Sequence, residues 1–249
     1  MTKKLLWFKN EHSFIFIKQN LTYLYRLKKK INKGEWMKKS KTKKKILEKA
    51  TDLFYEHGFV KASIRDIVRA VGITNSTVYI HFKNKDEILY SIIEDIGSTL
   101  IEELQVAIEK HDDPVECLRE MIFRQACLIK EKRKEIKIYI EEQYQLPTTL
   151  RKKALSQQRQ LYDIYYNKIG EIKNKGLVGD IDQTVMTFCI FAMMNWAYRW
   201  FKDKRRLSIE EAAEHMISIF FSGIFKKGVL PDEDAVVLSR HIKKINRRS

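Results

Sequence analysis

SIRDIVRAVGITNSTVYIHF, residues 63–82, is the stretch on which the reading of the whole chain turns. Ile64, Ile67, Val68 and Val71 recur at i, i+3, i+4 and i+7, one apolar stripe on a short helix. Ser63 stands before it as an N-cap, and Asp66, three residues on, resembles the acidic half of a capping box. Gly72 supplies the left-handed residue that a tight corner between helices needs. Thr74, Asn75, Ser76 and Thr77 then open a second helix with short hydrogen-bonding side chains, while Val78 and Phe82, four apart, face inward. A helix that enters the major groove needs such an end, small enough to approach base edges and phosphates without clashing. The layout is that of a helix-turn-helix. An ordinary helical hairpin in a core has the same periodicity, so the flanks decide between them.

Upstream, Ile46, Leu47, Ala50, Leu53 and Phe54 form a helical face that stops at His57-Gly58-Phe59. Downstream, Asn84 caps a new helix with Glu87 at its third position. With ILEKATDLFYEHGF, SIRDIVRAVGI, TNSTVYIHF and KNKDEIL in this order over about residues 40–92, the chain resembles the TetR family of bacterial transcriptional regulators. It departs from the family pattern at Val68, where Ala is usual, and at Asn75-Ser76, where Lys-Gly is common. The first alters helix–helix spacing; the second bears on which operator is read. The resemblance implies an all-α fold and a homodimer on double-stranded operator DNA. It also implies that Thr74, Asn75, Ser76 and Thr77 approach base edges while Ser63, Tyr79, His81 and Lys85 hold phosphates.

Charge is concentrated beside this motif. The 249 residues carry 48 Lys+Arg and 32 Asp+Glu, a formal +16. Residues 1–50 hold 16 basic and 3 acidic side chains, so +13 of the total lies there. That is the footprint of a phosphate-binding end, whose affinity falls steeply with salt. Lys38, Lys39, Lys41, Lys43, Lys44 and Lys45 are expected as an arm just before the first helix, adding sequence-independent affinity; a solubilising tail has the same composition. Residues 1–37 form a separate basic leader, read as an interfacial helix, an arm along DNA, or sequence ahead of a true start at Met37. Its Phe14–Ile17 run is too short to span a membrane, and no signal-peptide cleavage pattern follows it.

The domains expected after this leader are a helix-turn-helix domain over 38–84, a helical regulatory and dimerisation domain over 85–230, and a tail over 231–249. Only 3 Pro and 9 Gly, with no sustained alternation of period two, exclude a turn-rich β fold. Cys117, Cys127 and Cys189 form no CxxC, which points to a reduced cytoplasmic protein with neither disulfide nor zinc site, each thiol a small core hydrophobe. From Asp86 to Glu109 an unbroken helical period, with Gly97 as a place to bend, predicts a rod joining the two domains. Asp113-Pro114 starts the next helix, and Ser208 with Glu211 boxes the last. Apolar residues almost all round 185–201, followed by a final helix with Ala212, Met216, Ile219, Phe220, Gly223 and Ile224, predict a four-helix dimer interface built from two copies.

The segment NWAYRWFKDKRRLSIEEAAEHMISIFFSGI is similar to the C-terminal domain of TetR-type repressors that sense fatty acyl-coenzyme A. That resemblance implies an inducer site lined by Phe123, Tyr139, Tyr144, Tyr162, Tyr165 and Trp196, with Arg199 inside and Lys202, Lys204, Arg205 and Arg206 at the rim. The alternative reading of the same residues is interface packing, with Arg199 in an interhelical ion pair. Glu141 and Glu142, beside Tyr139 and Tyr144, keep a cationic inducer of the drug-sensing kind in contention. A non-specific DNA-coating protein is the remaining rival. No HExxH, GxSxG, GxGxxG or P-loop pattern occurs and the six His are scattered, so no enzyme, cofactor or metal site is expected.

Overall fold

The computed structural model describes residues 33–201 and 207–224, with side chains from residue 40 onward. The leader up to residue 32, the rim residues Lys202, Lys204, Arg205 and Arg206, and the tail 231–249 lie outside the described residues. The chain divides into two compact units, residues 1–46 and 47–249. Helix α1 (Lys33–His57) supplies all that is described of the first. Here the structure corrects an expectation, because the basic run 38–45 is part of α1 and not an arm ahead of it. Lys is among the better helix formers, and neither Gly nor Pro stands between Gly34 and Gly58 to break the helix. Lys41, Lys43, Lys44 and Lys45 are exposed; the Lys38 and Lys39 side chains lie outside the described residues.

In the second unit α1 is followed by α2 (Ile64–Val71), α3 (Asn75–Tyr79), α4 (Lys85–Lys110), α5 (Pro114–Glu131) and α6 (Arg133–Glu141). A 3-10 turn (Gln143–Gln145), α7 (Thr148–Asn174), α8 (Gln183–Trp200) and α9 (Ile209–Ile224) complete it. The described residues contain no β-strand, and the fold is all-α. Caps fix the helix starts. The Ser63 Oγ accepts from Asp66 N–H while the Asp66 carboxylate accepts from Ser63 N–H, at 3.2 and 3.0 Å. Asn84 caps α4 through Glu87 N–H at 2.9 Å, and Asp113 caps α5 through Val115 and Glu116, with Pro114 at the first position.

Helix α4 is the spine of this unit. Ile88, Leu89, Ile93 and Leu104 are fully buried on it, and it packs against α5, α6 and α7. Gly97 makes room on α4 for the Gln157 side chain of α7. A Cβ there would lie 2.1 Å from Gln157 Oε1. The Gln157 amide instead lies across α4, donating to Glu94 O at 3.1 Å and Ser98 Oγ at 3.0 Å.

Helices α8 and α9 leave an apolar face uncovered in the single chain. Val185, Phe188, Trp196 and Trp200 lie exposed along α8, and Ile219 on α9 is 70% exposed. Cys189 shares that face and is exposed, Cys127 is half-buried, and Cys117 alone sits in the core. The core role expected for Cys189 fails because α8 is packed on one side only within one chain. Among the described residues no helix is long and apolar enough to cross a membrane.

Candidate DNA interface and ligand cavity

The helix-turn-helix is pinned from within. Val78 is fully buried, Phe82 nearly so, and Ile67 and Val71 fill the space between α2 and α3. Gly72 turns the corner at φ +74°, where a Cβ would be strained. Its outward surface is polar and continuous. Thr74 Oγ1 caps α3 through Thr77 N–H and also meets the hydroxyls of Ser76 and Thr77 at 2.8 and 2.9 Å. Asn75, Ser76 and Tyr79 are exposed beside them, Tyr79 by 55%, while Thr77 and His81 are half-buried. Ser63 is spent on the capping box, and its hydroxyl holds the Asp66 carboxyl below the ordinary carboxylate value. Arg65, Arg69, Lys61 and Lys83 are exposed around the motif. The sequence reading did not single out these four as DNA contacts.

Lys85 is placed differently from a free phosphate-binding arm. Its ammonium donates to Phe59 O at 2.8 Å and Ala62 O at 2.9 Å, 4.2 Å from the centre of the Phe59 ring. A phosphate contact there exchanges for one of these carbonyls.

Phe59 is held from the other side as well. Its N–H donates to Glu142 Oε1 at 3.2 Å. Just before Glu142, α6 grips α1. Lys134 Nζ pairs with Asp52 at 2.7 Å, and Lys137 Nζ donates to Tyr55 O at 3.0 Å over the Tyr55 ring. The hydrogen bond from Lys134 holds the Asp52 carboxyl below its ordinary value and raises Lys134 in turn.

A cavity of about 380 Å³ lies among α4, α5, α6, α7 and α8. Leu100, Ile129, Ile136, Leu161 and Met194 make its apolar walls, and Tyr162, Phe188 and Phe191 an aromatic one. Tyr162 stacks near Phe191 at 6.3 Å, and Tyr165 meets Phe191 edge-on at 5.6 Å. Of the expected ligand residues, Tyr139, Tyr144 and Tyr162 line the cavity. Tyr165 stands fully buried just behind it, donating to Gln125 Oε1 at 3.1 Å. Phe123 and Trp196 do not line it, and Trp196 is 59% exposed. Arg199 is also outside it. Its guanidinium pairs with Glu141 at 2.6 Å, donates to the Tyr198 hydroxyl at 2.9 Å and lies over the Trp196 ring, which is the interhelical ion pair of the alternative reading. Among the described residues no Asp, Glu, Lys or Arg lines the cavity.

Seven polar side chains do line it, all neutral: Gln125, Gln143, Gln158 and Asn195 as amides, with the phenols of Tyr139, Tyr144 and Tyr162. The sequence marks Gln158, in the mixed polar stretch of α7, as wet or pocket-facing, but it does not single out Gln125, Gln143 or Asn195 as ligand residues. Its usable signal was Gln125, a lone amide inside the apolar stripe of α5. Burial pushes the Tyr139 phenol up, opposed by the nearby Gln158 amide.

A helix-turn-helix clamped to helices that enclose a cavity of ligand size is the architecture of a regulator that carries its reader and its sensor in one chain. Residues 46–92 match the model of bacterial regulatory proteins of the tetR family, and residues 111–224 match the tetracyclin repressor-like C-terminal domain. The chain belongs to the TetR family. It is 31% identical over 85 residues to the transcriptional regulator TtgR of Pseudomonas putida, a stretch that covers 33% of this chain and 40% of that protein. To the transcriptional repressor KstR2 of Mycobacterium tuberculosis it is 23% identical over 188 residues, 74% of this chain and 93% of the relative. Among solved structures, AibR in complex with isovaleryl coenzyme A and operator DNA superposes with a TM-score of 0.68 at 26% identity, covering 72% of this chain and 98% of AibR.

Proposed function

We propose that this protein is a ligand-responsive repressor that binds palindromic operator DNA as a dimer and is released by a lipophilic small molecule held in the cavity. The observation that carries the reading is Phe59. Its N–H is held by Glu142 at the end of α6, and its carbonyl by Lys85 at the start of α4. Both helices line the cavity, α6 through Ile136, Tyr139 and Ile140 and α4 through Leu100. A ligand that spreads them moves both holds on the segment leading into the motif. The opposite side of α6, with Lys134 and Lys137, carries the same shift into α1.

Two copies joined through the exposed faces of α8 and α9 form a four-helix interface, which covers Val185, Phe188, Trp196, Trp200 and Ile219. Twofold symmetry then presents paired α3 helices to half-sites about one helical turn apart, or a multiple of it. Thr74, Asn75, Ser76 and Thr77 approach base edges, and Ser63, Tyr79, His81 and Lys85 stand nearest the phosphates.

An acyl-coenzyme A is the inducer class favoured by the likeness to AibR, whose structure holds one, and by the segment from Trp196 into the cationic run. In that reading the acyl end occupies the cavity and the phosphates stay outside it, because no cation lines the walls. A long chain fills the space more completely than a short one. The cationic inducer loses its support, since Glu141 is engaged by Arg199 and Glu142 by Phe59 N–H.

The test is selection of bound fragments from genomic DNA, followed by operator titration with and without isovaleryl and longer acyl-coenzyme A. A tenfold loss of operator affinity corresponds to about 1.4 kcal/mol of coupling, inside the usual range of roughly 1–3. Failure to enrich any palindrome removes the operator reading. An affinity that no acyl-coenzyme A changes removes that inducer.

A further inference from the structure

Three buried polar atoms on residues that line the cavity have no hydrogen-bond partner among the described residues: Gln125 Nε2, Tyr139 OH and Gln143 Oε1. They come from three different elements, α5, α6 and the 3-10 turn, and each side chain is 5% exposed. Gln125 is oriented from behind. Its Oε1 accepts from the fully buried Tyr165 hydroxyl, which leaves the N–H side of the amide unused. The set therefore offers one donor (Gln125), one acceptor (Gln143) and one hydroxyl able to act as either. Buried polar groups are normally satisfied, and an unsatisfied one opposes folding. Three of them on residues around one apolar cavity are best explained by a partner that enters the cavity and reaches them.

That partner carries no charge where it meets them. The lining holds neither carboxylate nor cation, and an ion entering a 380 Å³ apolar space without a counter-charge would lose its hydration with nothing in return. Resting on the reading of this cavity as the inducer site, we propose that the group it recognises is uncharged and oxygenated. It is a compact apolar body bearing both a hydrogen-bond acceptor, such as a carbonyl, and a donor, such as a hydroxyl. An apolar body alone leaves the three groups unpaired, and sites built to hydrogen-bond reject analogues lacking the matching group far more strongly than they reject a missing methylene.

A matched series on one skeleton tests this by calorimetry with the full-length protein at neutral pH: 4-hydroxy-1-tetralone, tetralin, tetralin-1-carboxylate and 1-aminotetralin as its ammonium. The hydroxyketone is expected to bind at least tenfold more tightly than each of the other three. Tyr139→Phe and Gln143→Leu should each weaken it at least fivefold and leave tetralin unchanged. Each should also raise the melting temperature of the free protein, because a buried unpartnered group is removed; a purely structural role predicts a lower one. Equal or tighter binding of the ammonium or carboxylate, equal binding of tetralin, or a fall in melting temperature in both variants overturns the proposal. Absence of binding by all four overturns it too. Operator titration with and without the hydroxyketone then decides separately whether filling the cavity releases DNA, so binding without release is told apart from failure to bind.

Discussion

The outer surface of α3 and the lining of the cavity both carry polar groups, and they hold them in opposite ways. On α3 the polar groups are consecutive in sequence, face solvent and satisfy one another, as Thr74, Ser76 and Thr77 do through their hydroxyls. Around the cavity Gln125, Tyr139 and Gln143 come from separate elements, are buried, and each keep an unsatisfied polar atom. The first surface costs the fold little, since water serves the groups we propose to meet DNA. The second carries a penalty that a ligand in the proposed inducer site would relieve. A surface of the first kind suits a site that is always presented, and one of the second kind suits a sensor, whose two states must differ in free energy.

The largest effect that can separate the two regions is expected from Val78→Asp. Val78 is fully buried beneath α3, and an unpaired carboxylate there costs on the order of 4 kcal/mol. Operator affinity should drop more than a hundredfold in a gel-shift assay, whereas ligand binding to the cavity should survive within twofold. Equal loss of both would mean that motif and cavity fold as one unit with no separable parts.

Next in size are substitutions on the surface of α3 itself. Tyr79→Ala should weaken binding to all sequences by about tenfold, or 1.4 kcal/mol, because a phosphate contact carries no sequence information. Asn75→Ala should instead redistribute preference among operators. A randomised library in which both variants lost affinity uniformly would erase the division between reading and positioning residues.

The contrast between the regions also accounts for what could be read from the sequence. Capping residues, the corner at Gly72 and the inward pair Val78 and Phe82 act within one or two turns of their own helix, so spacing alone reveals them. The cavity depends on which faces of five helices meet, and a single amphipathic pattern does not encode that. Aromatic residues drew attention to Phe123, Trp196 and Arg199, yet α8 turns Trp196 and Arg199 away from the cavity. Gln158 stands in a mixed polar stretch that the sequence leaves as wet or pocket-facing, whereas Gln143, with a side chain as polar as any on a solvated face, is legible only once the 3-10 turn is seen to place it against the cavity. Propensity misled in the other direction at residues 38–45, where like charges suggested an arm and helix-forming Lys continued α1.

Between the regions stand the contacts of α6 with α1 and Phe59, and their removal should be felt in neither binding event alone. Lys137→Met loses the hydrogen bond to Tyr55 O, and Glu142→Gln weakens the hold on Phe59 N–H. Each is expected to leave operator affinity without ligand, and ligand affinity without operator, within about threefold. The double variant should reduce the ligand-induced change in operator affinity by at least threefold, about 0.7 kcal/mol of coupling. An undiminished switch would locate the coupling elsewhere, with α4 as the remaining connection.

The smallest effect concerns the Asp52–Lys134 pair, which joins the same two regions by charge. Lys134 lowers the Asp52 carboxyl below its ordinary value of 3.8, so the folded protein holds that proton less tightly than the unfolded chain does. Its contribution to stability is therefore fully present above about pH 4, and it is lost as the pH falls through the lowered value in the folded state. Both side chains are more than one-third exposed, at 37% and 47%, and solvent screening keeps the contribution below about 1 kcal/mol. Urea midpoints of wild type and Asp52→Asn, measured at pH 7 and again near pH 3, should differ slightly at the higher pH and converge at the lower. The difference at pH 7 should also shrink in high salt, as an exposed ion pair requires. A gap that persists at low pH would mean that Asp52 supports the junction by shape or neutral hydrogen bonding, and that the tie between head and cavity owes nothing to this charge.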